Sequence, residues 1–236
     1  MPRTLTIAMR EFRSYFNSPA AYIVICLFLL LLGVFFWNPF FLNNRASVRS
    51  MFDLMSVLLL PTAPAMTMAL LSEEKRTGTI EVLLTLPVKD TEVILGKFLG
   101  AFGLLAVLVA LTLTYPISVS SLGQLDWGPV FTAYLGLLLQ GATMLAIGVL
   151  ASSWTDNQLV AFFVSGIICF TLWVASNLVI FLPHGAASLV ERFTFNYHYK
   201  SMVRGVLDSR NVIYFLSITG LCLAMAFRSL ERRRWS

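Results

Sequence analysis

Long apolar segments alternate with short polar ones along the 236 residues of this chain. Six of the apolar segments are long enough to cross a bilayer, which takes about 20 helical residues. They are predicted over residues 20–41, 51–71, 93–119, 129–152, 158–182 and 212–227. The alternation typical of a membrane β-strand is missing, so α-helices are the expected form. The pattern predicts an all-α membrane protein, with residues 1–236 forming a single transmembrane domain.

Two of the stretches outside these segments mix apolar and charged residues. Residues 2–17 place apolar and aromatic side chains among several arginines, which predicts a basic amphipathic helix at the inner membrane surface. Residues 183–211 place aromatic side chains among charged ones in the same way. This pattern predicts short amphipathic helices at the outer surface, between spans 5 and 6.

The most distinctive polar stretch, residues 72–87, lies between spans 2 and 3. Ser72 is predicted to cap a helix there, with Glu73 and Glu74 near the positive end of its dipole. Gly78 is expected to interrupt this helix and Pro87 to end it. Beyond Gly78, apolar residues recur at helical spacing: Ile80, Leu83, Leu84 and Leu86. Physical reasoning leaves open a polar loop, a helix on the lipid headgroups, and a docking element for a soluble partner.

The basic residues indicate the orientation of the chain. With both termini inside, eleven of the 17 Lys and Arg residues lie on the inner side and six on the outer side. Such a bias predicts cytoplasmic termini. The basic residues sit at span ends and form no single stripe, so the net charge of +5 does not predict nucleic-acid binding.

Several residues in or beside the spans predict local features of the structure. Pro61 and Pro64 should kink span 2. A polar turn is expected over residues 88–92, before span 3. Gly96 and Gly100 have the spacing that lets helices pack closely. Two polar groups inside the membrane are candidates for the wall of a translocation path, Gln140 and Asn177. For Gln140 an interhelical hydrogen bond is the alternative.

Sequence motifs for catalysis are missing. The chain contains no glycine-rich phosphate loop and no paired carboxylates or Ser/His/Asp set in register on a span. Its three cysteines lie in apolar spans without metal-ligand spacing. The scattered outer residues His184, Glu191 and His198 do not form a metal motif. We therefore expect no enzyme activity, no bound metal and no cofactor in this chain.

The sequence of the stretch between spans 2 and 3 resembles that of a known family. The residues on which the resemblance rests are Glu73, Glu74, Lys75, Gly78, Thr79, Glu81, Leu83, Leu84 and Pro87, followed by Leu95-Gly96-Lys97. This pattern resembles the permease subunits of ABC type-2 transporters. It looks most like the branch that includes the gliding-motility permease and the permease used in maturing nitrous oxide reductase.

The resemblance implies an architecture and partners. Residues 72–87 would be the coupling helix, which sits on a separate cytoplasmic ATP-binding subunit that holds ATP and Mg. Residues 2–17 would be an elbow helix, and the turn with Trp154, Asp156 and Asn157 would be a second, smaller coupling element. Six spans are half of the usual complement, so the chain would pair with a second copy or a related permease. The location implied is a bacterial cytoplasmic membrane.

Other functions remain as alternatives. A non-transporting anchor that transmits force in a motility or envelope complex would share the same spans and partner. An ion-coupled carrier is disfavoured because the spans lack the carboxylates at membrane depth that usually couple ions. An intramembrane hydrolase is disfavoured by the missing catalytic set.

The orientation predicts how single cysteines react. In a background without the three native cysteines, Thr77→Cys should react only with a reagent applied from the inner side, and Ser201→Cys only from the outer side. The measurement is labelling by an impermeant maleimide in oriented vesicles. Labelling of both positions from the same side would reject the six-span arrangement.

Overall fold

The computed structural model describes residues 3–43, 48–79, 90–123, 125–178 and 193–233. The side chains at 39–43, 177–178 and 232–233 are not described. The helices are α1 (Arg3–Asn17), α2 (Pro19–Asn43), α3 (Arg49–Thr67), α4 (Ala69–Arg76), α5 (Asp90–Leu111), α6 (Thr114–Leu122), α7 (Trp127–Trp154), α8 (Gln158–Leu178), α9 (Phe195–Val203) and α10 (Ser209–Arg233). The all-α prediction is confirmed for the described part of the chain.

Six helices or helix pairs are long and apolar enough to cross a membrane within the described ranges. They are span 1 (Pro19–Asn38), span 2 (Arg49–Arg76), span 3 (Asp90–Leu122), span 4 (Trp127–Trp154), span 5 (Gln158–Ser176) and span 6 (Ser209–Glu231). The number of spans agrees with the prediction from hydropathy.

Span 4 is the centre of the bundle. Its most apolar part is 83% buried, whereas those of spans 1, 5 and 6 are only 17–28% buried. Helix α7 packs against spans 2, 3, 5 and 6 and against α9. Glycines allow this close packing, because a Cβ at Gly141 would lie 2.5 Å from Leu105 and one at Gly148 would overlap the Thr67 side chain.

Spans 2 and 3 extend beyond the apolar pattern at one end of the bundle, which the charge bias predicts to face the cytoplasm and which is called the inner end below. Span 2 continues through α4 to Arg76, and Ser72 lies inside this helix. The Ser72 hydroxyl donates to the Met68 carbonyl, so the prediction that Ser72 caps a new helix is wrong. Helix α5 begins at Asp90, so the polar turn expected over 88–92 ends earlier. Outside the bilayer, charged residues continue a helix readily, and hydropathy does not register such an extension.

The helix breaks in spans 2 and 3 lie at different positions relative to the prolines. Helix α3 continues through Pro61 and Pro64, and the break in span 2 falls at Met68, four residues after Pro64. Span 3 breaks between α5 and α6, just before Pro116, which has no amide hydrogen to donate to the Thr112 carbonyl. That carbonyl accepts instead from the Tyr115 amide at 3.1 Å. The Thr112 hydroxyl bonds the Val109 carbonyl at 2.7 Å at this break.

At the opposite end of the bundle, called the outer end below, helix α9 packs against its neighbours. Tyr199 is fully buried and its hydroxyl donates to the Phe52 carbonyl at 2.9 Å. The Thr132 hydroxyl of span 4 donates to the Met202 carbonyl at 2.8 Å. One helix of the predicted outer segment is therefore present, and residues 179–192 lie outside the described ranges.

The packing of span 4 predicts a difference between two glycine substitutions. Gly148→Ala forces a methyl group into the Thr67 side chain and should destabilise the protein by about 1–3 kcal/mol. Gly220→Ala is the control, because a Cβ there meets no atom within 4 Å. The measurement is the thermal unfolding midpoint in detergent. Equal midpoints for the two variants would contradict the packing of spans 2 and 4.

Candidate functional site at the inner ends of spans 2 and 3

A buried lysine holds the inner end of the bundle together. Lys97, in α5, is only 2% exposed. Its Nζ lies 3.0 Å from Oε1 of Glu11, in α1, and 2.7 Å from Oε1 of Glu74, in α4. We call Glu11, Lys97 and Glu74 the ion triad. It joins three helices, with Glu11 86 residues and Glu74 23 residues from Lys97 in the sequence.

The charges of the triad are nearly balanced by a neighbour. The two carboxylates are 14% and 19% exposed, and Nη2 of Arg10 lies 3.5 Å from the Glu11 carboxylate. Taking an ammonium group out of water is costly unless carboxylates at hydrogen-bonding distance compensate. The triad meets this condition through charge-assisted hydrogen bonds of normal length.

Glycines bring α1 close enough to α5 for the triad to form. A Cβ at Gly96 would lie 2.7 Å from Ile7, and one at Gly100 would lie 2.7 Å from the Glu11 Cβ. Gly103 lies against the Phe12 ring in the same way. The close packing expected for Gly96 and Gly100 is therefore confirmed, and its partner is the N-terminal helix.

A tyrosine fixes the other end of α1 to span 2. The Tyr15 hydroxyl donates to the Met66 carbonyl at 2.5 Å. Burial, together with the nearby Glu11 carboxylate, raises the pKa of Tyr15 above its usual value. The hydroxyl therefore stays neutral and keeps its proton for this bond at physiological pH.

A serine of span 4 fixes the inner end of span 2 on its opposite side. The Ser152 hydroxyl accepts from the backbone amides of Leu71 and Ser72, each at 3.0 Å, and donates to the Met68 carbonyl at 3.2 Å. Lys75 donates to the Ser153 carbonyl. A side chain inserted into the helical hydrogen bonds explains the break of span 2 at Met68.

The predicted coupling residues that the structure describes fall into two groups, exposed residues and residues bound within the chain. Glu73 and Thr79 are exposed, and Gly78 has a φ of 71°, which ends the helix after Arg76. Glu74 and Lys75 instead bind partners within the chain. The remaining predicted residues lie outside the described ranges: Glu81, Leu83, Leu84 and Pro87.

The second inner turn connects spans 4 and 5. Trp154 is 53% exposed, and Asp156 is exposed beside it. The Asn157 carboxamide oxygen accepts from the Leu159 amide at 2.9 Å, so Asn157 caps α8. This turn follows Ser152 and Ser153 directly and therefore lies beside the inner end of span 2.

Gln140 takes part in an interhelical hydrogen bond. Its Nε2 donates to the Ser56 hydroxyl at 2.7 Å, and that hydroxyl lies 3.1 Å from Gln140 Oε1. Gln140 is fully buried and Ser56 is 2% exposed. This geometry supports the interhelical alternative over a wall position. The side chain of Asn177, the other candidate, is not described.

Sequence reasoning missed Lys97, Glu11 and Ser152 as members of this site. The burial of Lys97 could have been predicted, since it lies between Gly96 and Gly100 at the inner end of an apolar span. A lysine in that position needs a carboxylate partner. Glu11 is the only acidic residue of α1, but its distance of 86 residues from Lys97 conceals the pairing.

Fold and site together define a class of protein. The chain is a multi-pass helical membrane protein with an ion-paired inner end, and the described residues contain no group of His, Cys, Asp and Glu able to hold a metal. The chain belongs to the ABC-2 family transporter proteins, whose family model matches residues 5–233. This membership identifies it as a permease subunit of an ABC transporter. A search of curated proteins found no significant match.

The ion triad predicts a stability difference between two variants. Lys97→Met leaves the Glu11 and Glu74 carboxylates close together without their cation, which should cost about 3–5 kcal/mol. The control is Glu11→Gln/Lys97→Met/Glu74→Gln, in which no charge remains, so that most of the stability should return. Thermal unfolding in detergent compares the two. A Lys97→Met protein as stable as the wild type would contradict the triad.

Proposed function

We propose that this chain is driven by a separate cytoplasmic ATP-binding subunit, which holds ATP and Mg and docks on the segment around residues 73–87. The chain itself binds no cofactor in this proposal. Both termini and the docking segment would lie in the cytoplasm, and the membrane would be a bacterial cytoplasmic membrane. The charge bias of the loops supports this orientation.

The single observation that carries the proposal is the ion triad. A force applied to the chain after Arg76 acts first on α4, because the two are continuous. Glu74 passes it through Lys97 to α5, and Glu11 passes it to α1. Ser152 and Lys75 link the same helix to span 4. A displacement of the docking segment would therefore move four elements together, as a two-state switch requires.

The proposed roles of the acidic residues differ from the first expectation. Glu73 is exposed and free of ion pairs to residues described here, so it is the better candidate for contact with the ATP-binding subunit. Glu74 is committed to Lys97 and would transmit force. Contacts of Glu81 with the partner, and of Leu83 and Leu84 with the bundle, remain part of the proposal.

Six spans in one chain support pairing with a second copy or a related permease. The apolar surfaces of spans 1, 5 and 6, at most 28% buried, leave ample area for a partner or lipid. Within the family we propose the gliding-motility and nitrous-oxide-reductase-maturation branch, on the wording of the stretch from Glu73 to Lys97. Substrate export or force transmission would then be the output.

Charge reversal at the exposed position tests the docking proposal. Glu73→Lys should weaken association with the ATP-binding subunit and reduce ATP hydrolysis by the complex, whereas the chain alone should hydrolyse no ATP. A contact at the rim of the interface changes mainly the association rate, and a buried one costs about 2–5 kcal/mol of binding free energy. Binding kinetics and ATPase rates measure both effects.

The matched control is Glu231→Lys, another exposed reversal at an inner span end, outside the docking segment. It should leave both binding and hydrolysis unchanged. Wild-type binding and ATPase rates for Glu73→Lys in a normally inserted protein would reject the docking site.

A further inference from the structure

A large cleft opens between α1 and the inner end of span 2. Its volume is about 1350 Å³, and it reaches from the start of span 1 to the ion triad. Pockets for small ligands usually have volumes of about 300–1,000 Å³. This cleft is therefore large enough for a ligand with an extended apolar part.

The cleft lies at the depth of the inner lipid headgroups. Trp37 and Tyr115, whose rings are 6.3 Å apart, mark the outer interface, where such aromatic residues concentrate. About 20 helical residues span the hydrocarbon core, which places the inner boundary near Ser18 on span 1 and Leu95 on span 3. Ser18 lines the cleft, and so does Lys97, two residues after Leu95.

The walls of the cleft combine apolar and charged surfaces. On α1, Leu5 and Met9 line it and are 46% and 50% exposed. On span 2, Ala69 and Leu70 line it near Met66. Such side chains suit the upper part of an acyl chain at the headgroup boundary.

The charged part contains groups of both signs. The exposed Arg10 and Arg13 provide guanidinium groups. Glu73 provides an exposed carboxylate, which can accept hydrogen bonds from a ligand in the cleft. Glu74 also lines the cleft, but its Oε2 is shielded from water and is not reached from there.

We propose that, in the chain without its ATP-binding subunit, this cleft binds a phospholipid of the inner leaflet whose headgroup carries a primary ammonium, such as phosphatidylethanolamine. The phosphate binds Arg10 and Arg13, the ammonium donates to the exposed carboxylate of Glu73, and the acyl chains lie along the span 2 wall. A choline headgroup has no N–H donor for Glu73. A glycerol headgroup can donate but lacks the positive charge that complements this carboxylate.

The experiment uses the full chain purified in detergent. The protein is incubated with mixed micelles of phosphatidylethanolamine, phosphatidylglycerol and phosphatidylcholine in equal amounts, with identical acyl chains, and bound lipids are counted by native mass spectrometry. We expect retention of phosphatidylethanolamine to exceed that of phosphatidylcholine by about tenfold, as one charge-assisted hydrogen bond would give. Phosphatidylglycerol should fall between the two.

Two single variants test the charges, and both change exposed residues that the fold does not need. Arg13→Gln should lower retention of all three lipids, because all three have the phosphate. Glu73→Gln should lower phosphatidylethanolamine retention alone. Arg76→Gln, an exposed change on α4 that does not line the cleft, is the matched control and should retain lipids like the wild type.

Equal retention of the three lipids would overturn the proposal, and so would wild-type retention in both cleft variants. If the cleft instead receives a helix of a protein partner, the lipids show no headgroup preference. In that case the cysteine of a Met9→Cys variant becomes protected from maleimide labelling only when the partner is added. That result also overturns the lipid site.

Discussion

The rest of this structure depends on the pairing of one buried lysine with two carboxylates. An ammonium group at 2% exposure is tolerated only where anionic partners lie within hydrogen-bonding distance. Those partners come from α1 and from α4, so both helices must lie against α5. The glycines at 96 and 100 follow from the same requirement, because any larger residue would hold the Glu11 backbone too far from Lys97.

The bundle is therefore organised differently at its two depths. Within the membrane, span 4 packs through glycines and a buried Gln140–Ser56 pair, both of which favour one fixed arrangement. At the inner end, Ser152 and Lys97 make polar contacts with α4, and the residues that follow α4, 77–79, are exposed. Polar contacts of this kind can exchange partners with a docking protein at lower cost than a packed apolar core. We therefore expect any movement driven by a docking protein to begin at the inner end.

Much of the fold was predictable, because bilayer thickness imposes the length of each span and hydropathy reports it directly. The ends of spans 2 and 3 were not, since charged residues continue a helix outside the bilayer without any apolar signal. The coupling role of residues 72–87 stays a prediction, and the contacts of its described residues were only partly predictable. Glu73 and Glu74 are adjacent in sequence, yet Glu73 is exposed whereas Glu74 binds Lys97 of α5, 23 positions away. The third member of the triad, Glu11, lies 86 positions from Lys97, and no local pattern reports such a pairing.

We expect α1 and the inner end of span 2 to move as one unit when the partner binds ATP. Spin labels at Thr6 and Thr77, both exposed, measure the distance between them by pulsed electron paramagnetic resonance in the complex with the ATP-binding subunit. A third label at Ser121 on the outer side serves as the reference. The account predicts that ATP changes the distances from Thr6 and Thr77 to Ser121 and leaves the Thr6–Thr77 distance constant. A nucleotide-dependent change in the Thr6–Thr77 distance would contradict it.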